Sequence, residues 1–354
     1  MGNSMRREKR MLLRKNHPTF LKLSSVFFFL IFSLIVYGSA IDDNQQHEQN
    51  NILKTRLMNG KTLTDLQGNA INAHGGGFLK LGKYYYWIGE NRHNDILVSC
   101  YRSTDLINWE FRGNILSRQS SPELDKANIE RPKVIYNEKT KQFVMWMHYE
   151  YNNNYSYARA AVAVSSDIEK PFHFLKSFRP FGNMSRDCNL YKDDDGTAYF
   201  VSAARENYDL ILYKLTPDYT DVQQQIATLW AGGHREAPAI VKRGNTFFMI
   251  NSGCTGWAPN QAKYAYAKSI AGPWSELKNL GDSTTYHSQS TFILPLQGSK
   301  TTSYIYIGDR WDGKYYFNSK YIFLPILFPT DNSMELNWTN QIQPNLKTGE
   351  LILK

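Results

Sequence analysis

Five polar residues, His74, Glu130, Asp187, Glu236 and Gln289, recur along this chain at spacings of 56, 57, 49 and 53, each just ahead of an apolar, aromatic-rich run. Basic neighbours accompany three of them: Arg131 follows Glu130, Arg186 precedes Asp187 and Arg235 precedes Glu236. If the repeats bring these positions together, the cluster suits acetal hydrolysis. In that reaction one carboxylic acid protonates the leaving oxygen while a second group positions water behind the anomeric carbon. Glu236 is the expected acid. Asp187 close by would raise its pKa by like-charge repulsion, and Arg131, Arg186 or Arg235 would counter that effect. The plainer reading has each acid capping a turn or pairing with its adjacent arginine, as Glu130 and Arg131 alone would do. Three acids in register favour the functional reading, because gathering so much charge has a desolvation cost that needs a purpose.

The elements that must position these residues are visible in the repeat itself. Its copies are HGGGFLKLGKYYYWIGE from His74, ERPKVIYNEKTKQFVMWMHYE from Glu130, DCNLYKDDDGTAYFVSAAR from Asp187, EAPAIVKRGNTFFMINSG from Glu236 and QSTFILPLQGSKTTSYIYIGDRW from Gln289. Each reads as a β-hairpin, with Gly-containing turns between strands of Tyr, Phe, Val and Ile. A second phrase, YRSTDLINWEF from Tyr101, AVSSDIEKPFHF from Ala163 and YAKSIAGPWSE from Tyr266, reads as an outer hairpin. Two hairpins per repeat predict a four-stranded antiparallel sheet, and five repeats predict an all-β, five-bladed β-propeller over residues 69–345. A β-helix is the competing architecture, but its coils are much shorter. In a propeller the first strand of each blade lines the axis, so the five repeat starts meet at one mouth.

Two further positions have binding chemistry. Glu90 ends the first hairpin, where it is either a surface charge or a partner for a sugar hydroxyl. Trp257, in the loop CTGWAP, either packs in the core or offers its face to a pyranose ring. Asp193, Asp194 and Asp195 precede Gly196 in a hairpin turn and lack the spaced ligands and closing Glu of a calcium loop. No metal or organic cofactor is expected.

The net charge of +9 is concentrated at the start of the chain. Residues 1–22 hold seven Arg and Lys against Glu8, which leaves only +3 for the rest and no case for a nucleic-acid partner. Residues 23–40 form an 18-residue uncharged, apolar run, long enough to cross a bilayer as a helix. Either it is a signal anchor, with the basic tail in the cytosol, or a signal peptide cleaved near Gly38-Ser39-Ala40. Both fates put the remainder on the secretory route, as a Golgi membrane protein or a secreted or cell-surface one. Residues 41–68 read as a polar linker and 346–354 as a C-terminal tail. Sequons at Asn154, Asn183 and Asn337 are compatible with that compartment. Cys100, Cys188 and Cys254 allow one disulfide and a free thiol, or three thiols.

From about Asn69 to Trp338 the chain resembles glycoside hydrolase family 43. The resemblance rests chiefly on DCNLYKDDDGTAYF and REAPAIVKRGNTFFMINSGCTGW, and the phrases NAHGGG, IERPKV and HSQST are similar to its branch of exo-acting galactan 1,3-β-galactosidases. The resemblance implies a five-bladed propeller, inversion at the anomeric carbon, and a general acid at Glu236. It also implies that Asp187 tunes and orients that acid and that Glu130 holds the terminal sugar. Glu90, Arg131, Tyr155, Asn207, Thr255 and Trp257 match sugar-binding positions. The first-blade Asp that serves most of the family as base is missing, since Asn72, Ala73 and His74 stand there. Gln289 resembles the residue that positions water in the galactanase branch, through an imidic-acid form, and His287 resembles an axial histidine or else a core one. The expected substrate is a polysaccharide or glycoprotein glycan, met by a monomer. The competing readings are another activity of the family, on β-xylosides or α-L-arabinofuranosides, and a glycan-binding propeller without catalysis.

Overall fold

The computed structural model describes residues 53–353. The expected basic tail, the apolar segment and the linker up to residue 52 lie outside the described residues. Among the described residues there is no α-helix, only four single-turn 3-10 segments, and none is long and apolar enough to cross a membrane.

The five expected repeats are five four-stranded antiparallel sheets. The first contains His74–Leu81, Tyr84–Glu90, Ile96–Ser103 and Glu110–Ser117; the second Ala127–Asn137, Gln142–Tyr151, Asn154–Ser165 and His173–Phe178. The third contains Cys188–Lys192, Ala198–Ala204, Asp209–Leu215 and Val222–Leu229; the fourth Arg235–Arg243, Thr246–Gly253, Ala262–Ala267 and Lys278–Leu280; the fifth Gln289–Gln297, Thr302–Arg310, Lys320–Leu327 and Glu335–Leu336. Strand order follows chain order in every sheet. The local chemistry is as the repeat suggests. Gly82 and Gly244 adopt φ of 57° and 55° in two-residue connections that pair Leu81 with Tyr84 and Arg243 with Thr246. In the outer phrase of the first sheet, Asp105 Oδ1 accepts from the backbone of Ile107 (2.8 Å) and Asn108 (2.7 Å), which turns the chain and buries Trp109.

The first strands of the five sheets pack on one another in cyclic order, the fifth against the first. Hydrophobic clusters fill the interfaces between neighbours, each built from the two sheets flanking it. The interface between fifth and first sheets differs from the others, because Leu57, Leu63 and Ile342 also pack into it.

That packing corrects both ends of the expected domain. Residues 53–68 are not a free linker: Leu57–Met58 pairs with Gln341–Asn345, and Asn59 exchanges hydrogen bonds with Phe323, donating to its carbonyl (2.9 Å) and accepting from its amide (2.6 Å). Nor are residues 346–353 of the expected tail free, since Glu350–Leu353 adds the third strand of this small sheet. The polar composition hid two leucines that the closing interface needs. All three cysteines are free thiols, so the disulfide alternative fails.

Leu57 is only 2% exposed, so Leu57→Ala should destabilise the protein by about 2–5 kcal/mol. Thermal melting measures this, and an unchanged melting temperature would mean that residue 57 belongs to a linker after all.

Candidate active site

Each repeat start sits at the entry to an inner strand, and the backbone there is shaped to aim it. Register slips follow His74, Glu130, Glu236 and Ser290, where extra residues bulge out of the inner strand. Such bulges re-aim side chains at the ends of sheets. Gly75, Arg131 and Ala237 adopt φ of 55°, 52° and 52° within them. The run HGGG is explained by crowding: a Cβ on Gly75 would lie 2.8 Å from Glu90 Oε1, and one on Gly76 would lie 2.4 Å from the Ile88 carbonyl oxygen. Cross-strand pairing adds a second polar residue at four of these positions, His74 with Glu90, Glu130 with His148, Glu236 with Ser252 and Gln289 with Asp309.

Glu130, Asp187, Glu236 and Gln289 converge on one cavity of about 210 Å³, together with Arg131, Tyr155, Asn207 and Trp257. Glu236 is buried. Its Oε1 accepts from Gln289 Nε2 (2.8 Å) and its Oε2 from Asn207 Nδ2 (2.9 Å). Burial and then the Asp187 charge push its pKa up to about 7, with Arg131 opposing. Arg131 is the arginine that balances Asp187, with Nε 2.8 Å from Asp187 Oδ2, while Nη2 donates to Gln289 Oε1 at 2.5 Å and Nη1 to the Ser290 carbonyl at 3.0 Å. Of the other two arginines, Arg235 donates to Asn251 (2.6 Å) and Arg186 pairs with Glu206.

Glu130 is gripped from several sides. Arg92 Nη2 donates to it at 3.0 Å and Asn128 Nδ2 at 2.8 Å; the Tyr155 hydroxyl also donates, and His148 Nδ1 lies 3.1 Å away. Burial alone would raise its pKa, but His148, Arg92 and Tyr155 outweigh it and hold the carboxyl well below the ordinary range. Gln289 Oε1 faces Arg131 and the Trp311 indole N–H (2.9 Å), two groups that only donate. They favour the carbonyl form of the amide, which argues against the expected imidic acid. Trp257 is 47% exposed and packs edge-on against Trp311 at 5.6 Å, so it is a wall of the cavity and not core.

Four expectations fall away from the cavity. Glu90 is buried behind it, 2.8 Å from Arg92, which it aims at Glu130. The Thr255 hydroxyl is spent within its own loop, donating to Ala258 (2.6 Å) and accepting from Asn260 (2.7 Å). His74 pairs with Asp309 (2.9 Å) and stacks on Tyr321. His287 is exposed and lines a neighbouring cavity with Pro259 and Arg310, so it is not a core histidine. Three residues of the cavity wall were missed: Arg92, His148 and Trp311. His148 and Glu150 alternate on one face of a strand, a signal that the surrounding run VMWMHYEY masks as ordinary core.

Glu130, His148 and Asp187 offer ligand atoms within 4.8 Å of one another. Arg92 and Arg131 already supply the positive charge that a cation would bring there, so the arrangement is a charge network in its own right. A larger cavity of about 540 Å³ lies at the hairpin turn Asp193–Gly196 and gathers no comparable set of groups.

The sequence profile of glycosyl hydrolases family 43 matches residues 77–298. This chain belongs to glycosyl hydrolase family 43. An exo-β-1,3-galactanase of the family from Clostridium thermocellum is 51% identical, with a TM-score of 0.82 over 84% of this chain and 68% of that one. An exo-β-1,3-galactanase from Phanerochaete chrysosporium, solved with β-1,3-galactotriose, is 35% identical, with a TM-score of 0.80 over 84% and 70%. A family 43 β-1,3-galactosidase solved with galactodeoxynojirimycin is also 35% identical, with a TM-score of 0.77 over 80% of this chain and 99% of that one. Among curated proteins, a xylan 1,3-β-xylosidase from Vibrio sp is 23% identical over 196 residues; the chain spans 35% of that protein's length.

With Glu236 as the expected general acid, its pKa of about 7 predicts a rate that falls above about pH 7, since a general acid acts in its protonated form. Asp187→Asn removes a repulsive charge and frees Arg131, so the limb of kcat/KM should move down by about one pH unit. A limb that stays in place would mean that Asp187 does not tune the acid.

Proposed function

We propose that this enzyme is an exo-acting, inverting β-1,3-galactosidase that removes terminal galactose from β-1,3-galactan chains of the arabinogalactan type. Its five sheets are then the blades of a five-bladed propeller, with the pocket at one mouth of the axis. The observation that carries this reading is the convergence of Glu130, Asp187, Glu236 and Gln289 on a cavity of about 210 Å³. It is supported by the 51% identity to a protein described as an exo-β-1,3-galactanase. Residues 1–40, by sequence alone, send the enzyme along the secretory route, as an anchored or a released protein.

Glu236, close to half-protonated near neutrality, donates its proton to the glycosidic oxygen as the bond to the anomeric carbon breaks. Asp187, tied to Arg131, keeps that proton available and adds negative charge facing the oxocarbenium-like transition state. Ionised Glu130 accepts from hydroxyls of the terminal sugar, and the face of Trp257 borders the ring. Gln289 orients the attacking water through its amide. With His74 committed to Asp309 and no acid at the first repeat start, the proton that this water sheds as it bonds to the anomeric carbon passes to solvent.

Incubation with β-1,3-galactan and with aryl β-galactosides, β-xylosides and α-L-arabinofuranosides should release galactose alone; cleavage of the pentosides with galactan untouched would reassign the substrate. Glu236→Gln should lower the rate about 10²- to 10⁴-fold while galactose binding persists. A glycan-binding protein would hydrolyse in neither form, and a Glu236→Gln variant with full turnover would put the acid elsewhere.

A further inference from the structure

Beneath the pocket, acids and bases alternate in a continuous file. Arg92 Nη2 lies 2.8 Å from Glu90 and 3.0 Å from Glu130; His148 then sits between Glu130 Oε2 (Nδ1, 3.1 Å) and Glu150 Oε1 (Nε2, 2.8 Å). The ring and the Glu150 carboxylate are both buried. Glu150 cannot swing away, because its Oε2 accepts from the Ala158 amide at 2.7 Å. A neutral imidazole has one N–H, so with a carboxylate at each nitrogen it would leave one of them facing a lone pair. The doubly protonated ring serves both, as a hydrogen bond to Glu150 and as an ion pair with Glu130, whose 3.1 Å contact is not aligned as a hydrogen bond.

We propose that His148 is a positioning residue for sugar binding: bridging Glu150 to Glu130, its cationic ring keeps Glu130 ionised and aimed into the pocket. This rests on the galactosidase reading, in which Glu130 holds the terminal sugar. The groups facing the ring are Glu130 from the inner strand, Glu150 from its own strand, Tyr155 from the next strand (6.1 Å between ring centroids), and Arg186 and Asp187 ahead of the third sheet. Arg92 reaches it only through Glu130. Burial would lower the pKa of His148, but Glu130 and Glu150 outweigh this and raise it to about 9. The sign follows: below about pH 9 the ring is charged and the grip on Glu130 is complete, and above it the grip is lost.

Binding of galactose to Glu236→Gln, measured by calorimetry from pH 6 to 10, tests this without hydrolysis or titration of the acid. Affinity should hold to about pH 8 and fall about tenfold by pH 10. In the double variant Glu236→Gln, His148→Gln it should be about five- to tenfold weaker at pH 7 and level across the range. Imidazole ¹⁵N NMR gives an independent reading, in which one histidine of the single variant stays doubly protonated at pH 8 and is absent from the double variant. If the double variant does not fold, the pH titration and NMR of the single variant decide the matter. Galactose binding that is level with pH in the single variant, or histidines that all titrate below pH 8, would overturn the role of His148 and leave the galactosidase reading standing. No galactose binding at any pH would overturn both.

Discussion

The guanidinium of Arg131 pairs with Asp187 and donates to Gln289 and to the Ser290 carbonyl from a buried position. A charge in such surroundings is tolerable only when its partners compensate for lost hydration, and removing one partner typically costs about 3–5 kcal/mol. Arg131 thus compensates the charge that Asp187 places near Glu236. The pKa of about 7 at Glu236 is the residue of this competition, with burial and Asp187 raising it and Arg131 holding it down. The backbone of Arg131 is itself unusual, with φ of 52°, and its carbonyl accepts from the buried Lys133 ammonium, which also binds the Gly75 carbonyl at 2.6 Å. Strain at the site is thus held by contacts that join the first and second sheets.

The cyclic packing of the inner strands makes the pocket a property of the whole ring. Glu130, Asp187, Glu236 and Gln289 come from or adjoin the second to fifth sheets, and Arg92 adjoins the first. Their meeting depends on the interface between fifth and first sheets, where Leu57, Leu63 and Ile342 complete the hydrophobic filling. The chain ends of the domain therefore act on the chemistry through packing alone.

Much of this was legible in sequence, for reasons that can be stated. Aromatic-rich hairpins at intervals near fifty residues specified the sheets, and the polar residues heading them specified which side chains would meet. The fate of each candidate was harder to read. Glu90 and His74 are both buried, one aimed at Arg92 and the other at Asp309, and neither partner is adjacent in the repeat alignment. Thr255 is turned into its own loop by Asn260, a contact that no spacing announces. His148 and Glu150 lie in a strand whose apolar neighbours make them look like core, and Trp311 is the last residue of its repeat copy, one more aromatic in an aromatic-rich run. The polar stretch after residue 52 reads as linker because Leu57 finds its strand partner, Ile342, near the other end of the domain.

In the proposed mechanism, with Glu236 as acid and water as the nucleophile, hydrolysis inverts the anomeric carbon. Proton NMR of the first turnovers on β-1,3-galactobiose distinguishes the two stereochemical courses before mutarotation blurs them. The arrangement around Glu236, Asp187 and Gln289 predicts α-galactose as the first-formed product. First-formed β-galactose would contradict it and would require a carboxylate in the pocket to act as a covalent nucleophile.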